Sequence, residues 1–303
     1  MDYSDITAKM RGVIPFLPTP YLKKHGNGTK LDENGLRKNC RFLNQFPFDC
    51  VVPVAGTGDL MSLENKEYFR ILEICKEELD ASILIMPGLF LETERAIKAV
   101  KVLEKMNFRS VLSFPAPHLA ISSRGLVAHW KTIARNTSLA ITVFRAPWLP
   151  FDLNLLEELK DKKNIVAIKE ETGDILWFRK AIESYGDRYA FIGGGELQFL
   201  NYLLVGAQGI TTGLPNFMPE PFFRMFQLAE NNKYQEAIIL NKKLMPLLTL
   251  RQKPGNAIPL LKYAMDLVGL CGGVNRLPQM ELTDEDKSLT RKYLCEIGVI
   301  KQN

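Results

Sequence analysis

Asn164-Ile165-Val166-Ala167-Ile168-Lys169-Glu170-Glu171-Thr172-Gly173-Asp174 runs four apolar residues into one lysine and then into a polar turn that contains a glycine. Such a run reads as a buried parallel strand that delivers an amine at its C-terminal end. Active sites of (β/α)8 barrels lie at that end. A lysine screened from water there has its charged form disfavoured and its pKa lowered. The neutral amine can attack a ketone and form a Schiff base. A strand-end lysine can equally snorkel into solvent, so this stretch alone leaves both readings open.

Outward from Lys169 the chain alternates between short β-branched runs and longer capped segments. Strands are predicted over 12–16, 50–54, 82–86, 110–112, 139–144, 165–169, 189–192 and 209–212. Helices are predicted between them, opened by Asp32, Ser62, Thr93, Ser123, Asp152, Asp174 and Glu196. Eight strand–helix units of about 25–30 residues predict a (β/α)8 TIM barrel. A doubly wound sheet could alternate the same way, but its GxGxxG fingerprint is absent after the first strand. After about Pro219 the pattern is purely helical, over 221–231, 234–250, 256–268 and 284–297. The expected organisation is a barrel over 1–230, with C-terminal helices over 231–303 packed on it as part of the same domain. No Gly/Ser linker divides them.

Apolar content of 46% and charged content of 24% are ordinary for a soluble globular protein. The net charge of +5 is spread without a basic block, which argues against nucleic acid. No apolar run is long enough to span a bilayer and no N-terminal h-region is present, so a soluble, cytoplasmic protein is expected. Cys40, Cys50, Cys75, Cys271 and Cys295 form no CxxC and read as small buried hydrophobes. His25, His118 and His129 show no metal-ligand spacing, so neither a metal nor a cofactor is expected.

Two other strand ends carry chemistry. Val54-Ala55-Gly56-Thr57-Gly58-Asp59-Leu60-Met61-Ser62-Leu63 offers backbone N–H groups and a hydroxyl in a small concavity suited to a carboxylate; an ordinary βα turn reads the same way. Gly193-Gly194-Gly195 after the seventh strand permits close approach of backbone to a ligand, or is simple turn chemistry. Asp59, Glu170 and Glu171 read as solvated or capping acids.

Gly12-Val13-Ile14-Pro15-Phe16-Leu17-Pro18-Thr19-Pro20-Tyr21, then Ala55-Gly56-Thr57-Gly58-Asp59, then Ile168-Lys169-Glu170-Glu171-Thr172-Gly173-Asp174 occur in the order found in the dihydrodipicolinate synthase/N-acetylneuraminate lyase superfamily of class I aldolase-type barrels. The resemblance covers nearly the whole chain, including Arg276-Leu277-Pro278. The turn Gly-Thr-Gly-Asp-Leu-Met-Ser-Leu is similar to that of the 5-dehydro-4-deoxyglucarate dehydratase branch. The resemblance implies that Lys169 forms a Schiff base with a 2-oxo acid and that Gly56 and Thr57 hold its carboxylate. By strand position Gly194 and Thr211 line the same pocket. It also implies a homo-oligomer, tetramer or dimer, and the leucines of the C-terminal helices are consistent with one.

The chain departs from the family at Phe144, which stands where the family carries a proton-relaying tyrosine. A phenyl ring neither donates nor accepts a proton. His118, Tyr21 or a water would have to replace it. The arginine that the synthase branch uses for its second substrate has no match, because Arg145 falls on the other face of the strand. The expected function is therefore a Schiff-base lyase, aldolase or dehydratase acting on a 2-oxo acid, sugar-derived in the sense of that branch. The alternative is a catalytically idle barrel that binds a keto acid as sensor or scaffold.

Overall fold

In the computed structural model, which describes residues 2–24, 28–115 and 120–301, Ile165–Glu170 is a strand buried along its whole length. It lies between Ala140–Arg145 and Ala190–Gly193, parallel to both. The sheet continues on both sides, in the order Gly12–Pro15, Gly209–Thr212, Ala190–Gly193, Ile165–Glu170, Ala140–Arg145, Ser110–Ser113, Gly88–Leu89. Each strand sits beside its neighbour in the series, and the last strand of the series pairs with the first. A doubly wound sheet would reverse its order at a switch point. This one does not reverse, and its parallel strands curl like part of a barrel.

The regular ladder is not the even ring of eight that the spacing predicts. Cys50–Val51 pairs with Leu84–Ile85 as a separate two-stranded parallel sheet. Pro87 is the physical reason. It has no N–H to give to the ladder, so the third strand divides into Leu84–Ile85 and Gly88–Leu89. Each half serves a different neighbour. A short antiparallel hairpin, Tyr21–Lys23 with Thr29–Leu31, was not legible in the sequence.

Side chains alternate across the strands and make two cores. The inner face carries Ile14, Leu112, Ala140, Phe144, Val166, Ala190 and Ile192, with Ile6 and Met10 from the N-terminal segment packed among them. The outer face carries Val13, Val111, Ile141, Val143, Ile168, Phe191 and Ile210 against the helices. Ile168 and Val143 face out, so Lys169 and Phe144, next along their strands, face in.

Asp32, Asp152 and Asp174 cap helices as predicted, each carboxylate accepting from the N–H three residues on. Three expected starts shift. Glu92 rather than Thr93 caps Thr93–Lys105, which frees the Thr93 hydroxyl to bond His129 Nδ1 at 2.9 Å. Ser122 rather than Ser123 caps Ser123–Arg135. Leu60–Ser62 is a 3-10 turn, and the helix begins at Asn65, where Glu67 accepts from the Glu64 N–H at 3.1 Å.

The helices Tyr234–Gln252, Ala257–Leu267 and Asp284–Ile297 share the outer core. Leu247, Leu248, Leu250, Leu260 and Leu261 are buried within this one chain, so they are not an oligomer surface. Cys40, Cys50 and Cys75 are buried as expected; Cys271 and Cys295 are only partly so. No helix among the described residues is long and apolar enough to cross a membrane.

Candidate active site

Lys169 is 1% exposed. Its Nζ lies 4.3 Å from the Phe144 ring centroid and 5.2 Å from that of Phe16. The Glu171 carboxylate is in direct contact with it. Burial pushes the amine down to about 7, against the charge of Glu170. At neutral pH a large fraction is therefore the free base that attacks carbonyl carbon. The snorkelling alternative does not describe this residue: its amine turns into the mouth of the curled sheet.

Gly194 lies against that amine. A Cβ built there would be 2.8 Å from Lys169 Nζ and would collide with the Glu171 carboxylate. Thr211 lies inside the next strand, buried, its hydroxyl donating to the Gly193 carbonyl at 3.2 Å. Gly56 and Thr57 sit in the turn after the Cys50–Val51 strand. The Thr57 methyl lies 3.3 Å from where a Gly213 Cβ would be, just past the Gly209–Thr212 strand. Among the described residues neither the Gly56 N–H, the Thr57 N–H nor the Thr57 hydroxyl has a partner. The turn begins at Val54, a β-branched residue at φ 48°. Backbone there costs on the order of 1–3 kcal/mol and concentrates at ligand-holding sites. Three unpaired donors in a strained turn can receive an anion. Lys169 thus touches both Phe144 and Gly194, Thr211 adjoins them through Gly193, and Gly56–Thr57 meet the group through Gly213.

The strand-end acids are not the solvated caps the sequence suggested. Glu170 is fully buried on the outward side, where Arg145 Nη1 reaches it at 2.7 Å and the Tyr202 hydroxyl donates to it. Arg145 therefore faces away from Lys169, as the strand alternation predicts. Asp59, at φ 58°, pairs its carboxylate with Lys262 Nζ at 3.0 Å, both side chains buried. Burial raises the Asp59 pKa and lowers that of Lys262, each opposed by the other's charge. Glu196 accepts from the Gly213 N–H at 3.1 Å and pairs with Arg251. The C-terminal helices thereby grip two loops of the site from behind.

Lys262, Arg251 and Glu196 were missed in the sequence. The available signal was a lone cation in an apolar helical run, Leu260-Leu261-Lys262-Tyr263-Ala264 and Leu247-Leu248-Thr249-Leu250-Arg251. A cation there is buried only if it is paired.

The candidate relays resolve unequally. Tyr21 is buried with its ring under Lys262, 4.5 Å away, and Arg276, 4.0 Å away. Its place is in the Asp59 cluster, where its hydroxyl has no hydrogen-bond partner among the described residues. His118 lies outside the described residues, as does His25.

The dihydrodipicolinate synthetase family model matches residues 9–297. A 4-hydroxy-tetrahydrodipicolinate synthase of Chlorobium phaeobacteroides is 27% identical, over 97% of this chain and 99% of its own. One from Methanococcus maripaludis is 27% identical, over 96% of this chain and 100% of its own. The crystal structure of dihydrodipicolinate synthase from Oceanobacillus iheyensis superposes with a TM-score of 0.89 at 24% identity, covering 97% of this chain and 98% of that one. None of these relatives points to the 5-dehydro-4-deoxyglucarate dehydratase branch.

Proposed function

The chain belongs to the dihydrodipicolinate synthetase family, and from that premise we propose that it is a class I lyase that activates a 2-oxo acid as an imine of Lys169. One observation carries this reading: a fully buried amine, held near neutrality by burial, at the C-terminal end of a strand inside the curled sheet. The substrate carboxylate goes to the Gly56 and Thr57 N–H groups and the Thr57 hydroxyl. Gly194 leaves room for the carbonyl carbon beside the amine, and Thr211 closes the wall. Once formed, the iminium draws electrons from the neighbouring carbon, so a bond there can break or form.

Carbinolamine dehydration requires a proton on the departing hydroxyl. Phe144 supplies none. We assign that step to Glu171, whose carboxylate touches the amine and whose side chain, 37% exposed, can exchange its proton with solvent. The idle-barrel alternative rested on the missing phenol; a carboxylate at the amine removes that motive.

The substrate in this reading is a 2-oxo acid without a sugar-derived chain. A row of hydroxyls needs hydrogen-bonding partners, and Phe114 and Phe144 offer ring faces on that side of the amine. The reading includes a closed eight-stranded barrel with the C-terminal helices in the same domain. Single bonds support closure: Val52 N–H to Pro15, Leu17 N–H to Val52, Gly88 N–H to Pro53. A soluble cytoplasmic homo-oligomer, dimer or tetramer, completes it; a monomeric mass by light scattering at micromolar concentration would refute the assembly.

The deciding experiment is borohydride reduction with pyruvate, read by intact mass and peptide mapping. An irreversible adduct on Lys169, absent in Lys169→Ala, is expected. No adduct with pyruvate or longer 2-oxo acids would sink the lyase reading.

A further inference from the structure

The strand ends divide the mouth around Lys169 into two halves of opposite character. One half is polar: Lys169, Gly194, Thr211 and the Gly56–Thr57 turn. The other is aromatic. Three successive strands, Gly88–Leu89, Ser110–Ser113 and Ala140–Arg145, carry Phe90, Phe114 and Phe144 at their C-terminal ends. The Phe90 and Phe114 rings meet edge to face, centroids 6.0 Å apart at 77°. Phe114 and Phe144 stack, 4.7 Å apart at 25°. Trp148 extends the row, 6.3 Å from Phe144 at 37°, and is 62% exposed. The aromatic row thus runs from the exposed Trp148 at the rim to Phe144, itself only 4% exposed, within 4.3 Å of the amine.

Among the described residues Lys169 is the one cation over any of these four rings, and Arg95 borders Phe90 at the far end of the row. Arg145, the cation nearest in sequence, faces outward, held by Glu170 and laid over the Trp177 ring at 4.1 Å. A second anionic or polyhydroxylated group there would lose its water and gain no partner. A flat ring would gain offset or edge contacts with each neighbour.

Resting on the Schiff-base reading, we propose that the carbonyl partner in the carbon–carbon step is an aromatic aldehyde, its ring seated on Phe114, Phe144 and Trp148. In the cleavage direction a 4-aryl-4-hydroxy-2-oxobutanoate condenses with Lys169 and releases water. The C3–C4 bond breaks and its electron pair enters the iminium, giving an enamine. The C4 hydroxyl loses its proton and becomes the aldehyde. The enamine C3 takes up a proton, and water hydrolyses the imine to release pyruvate. The sum is adduct to pyruvate plus aldehyde, with no oxidant or reductant.

The test uses the whole protein with 4-hydroxy-2-oxo-4-phenylbutanoate, following benzaldehyde by its absorbance, against 4-hydroxy-2-oxopentanoate, which carries a methyl group instead. We expect kcat/KM for the phenyl substrate to exceed that for the methyl substrate by about 10-fold or more, taking roughly 3–10-fold per stacked ring. Trp148→Ala, at an exposed position outside the core, should reduce that ratio by about 3–10-fold; so should Phe114→Leu. The ratio cancels any effect on the shared imine step. A pyruvate imine that forms normally with no phenyl preference, or with preference for a sugar-derived adduct, overturns this inference and leaves the lyase reading standing. No pyruvate imine at all overturns both.

Discussion

The Gly194 Cα and the Lys169 amine are so close that a side chain cannot stand between them: a Cβ would lie 2.8 Å from Nζ and 2.9 Å from the Glu170 carbonyl oxygen. The second contact is with backbone and cannot yield. Gly194→Ala should therefore displace the amine without unfolding the protein, since Gly194 is not among the glycines at positive φ. Misplacing a reacting atom by about 1 Å costs on the order of 10²-fold. Time courses of borohydride trapping should show that loss in a folded protein whose melting temperature is lowered, because the Glu170 carbonyl must shift as well. An unchanged rate would mean that Gly194 does not border the reacting amine.

Lys169 itself should destabilise the fold. Its pKa falls from 10.5 free to about 7 buried. Between those values the unfolded chain binds more protons than the folded one, so stability rises with pH over that window. Below about 7 the penalty is fully present; above about 10.5 it is gone. Lys169→Met should accordingly raise the melting temperature at pH 6–7, by less at pH 9, while abolishing trapping. A gain independent of pH would show that shape, not charge burial, sets the difference.

The buried pair of Asp59 and Lys262 ties the Gly56–Thr57 turn, proposed to hold the substrate carboxylate, to the helix Ala257–Leu267. Removing one partner strands the other charge, at about 3–5 kcal/mol. Lys262→Met and Asp59→Asn should each cost that order in urea denaturation. The double variant should cost clearly less than the sum, because neither charge is then left alone. In each single variant that stays folded, the pyruvate concentration needed for half-maximal trapping should rise, since Asp59 follows the Gly56–Thr57 donors within one turn. Strict additivity would mean that the two groups do not act as a pair.

His129 offers a separate pH test. It is buried, Nε2 has no partner, and burial holds its pKa down at about 4, against the charge of Glu92. The unfolded chain protonates first on acidification, so stability should fall as pH drops from about 6.5 towards 4. His129→Gln should flatten that part of the melting-temperature profile, and an unchanged slope would assign the acid limb to other groups.

What could be read in the sequence was what depends on neighbours along the chain. Ile165-Val166-Ala167-Ile168 declares a buried strand, and alternation then sends Lys169 and Phe144 inward and Arg145 outward. Asp32, Asp152 and Asp174 declare helix starts because a cap acts over three residues. What was hidden depends on residues far apart. Asp59 looks like a solvated acid until Lys262 arrives from 203 positions away. Pro87 looks like the end of a strand, but it only removes one donor from a strand that resumes at Gly88. The aromatic row is hidden for the same reason, because Phe90, Phe114 and Phe144 come from three separate strands.

In the proposed mechanism the chemistry turns on Glu171. It touches the Lys169 amine from the end of the same strand, at a place where Phe144 can carry no proton. Glu171→Gln keeps size and hydrogen-bonding shape but cannot exchange a proton. Imine formation should slow by roughly 10²–10⁴-fold, the usual worth of general acid–base help. A second effect separates this role from mere packing. Removing a negative charge beside the amine favours its neutral form, so the pH midpoint of Lys169 alkylation should move below that of the parent. Phe144→Tyr in the Glu171→Gln background should recover part of the rate, because it restores a phenol near the amine. His118→Ala in the parent is the control and should leave trapping unchanged. If Glu171→Gln traps pyruvate at the parental rate and His118→Ala does not, the proton passes through His118, and the assignment to Glu171 is wrong even though Lys169 reacts.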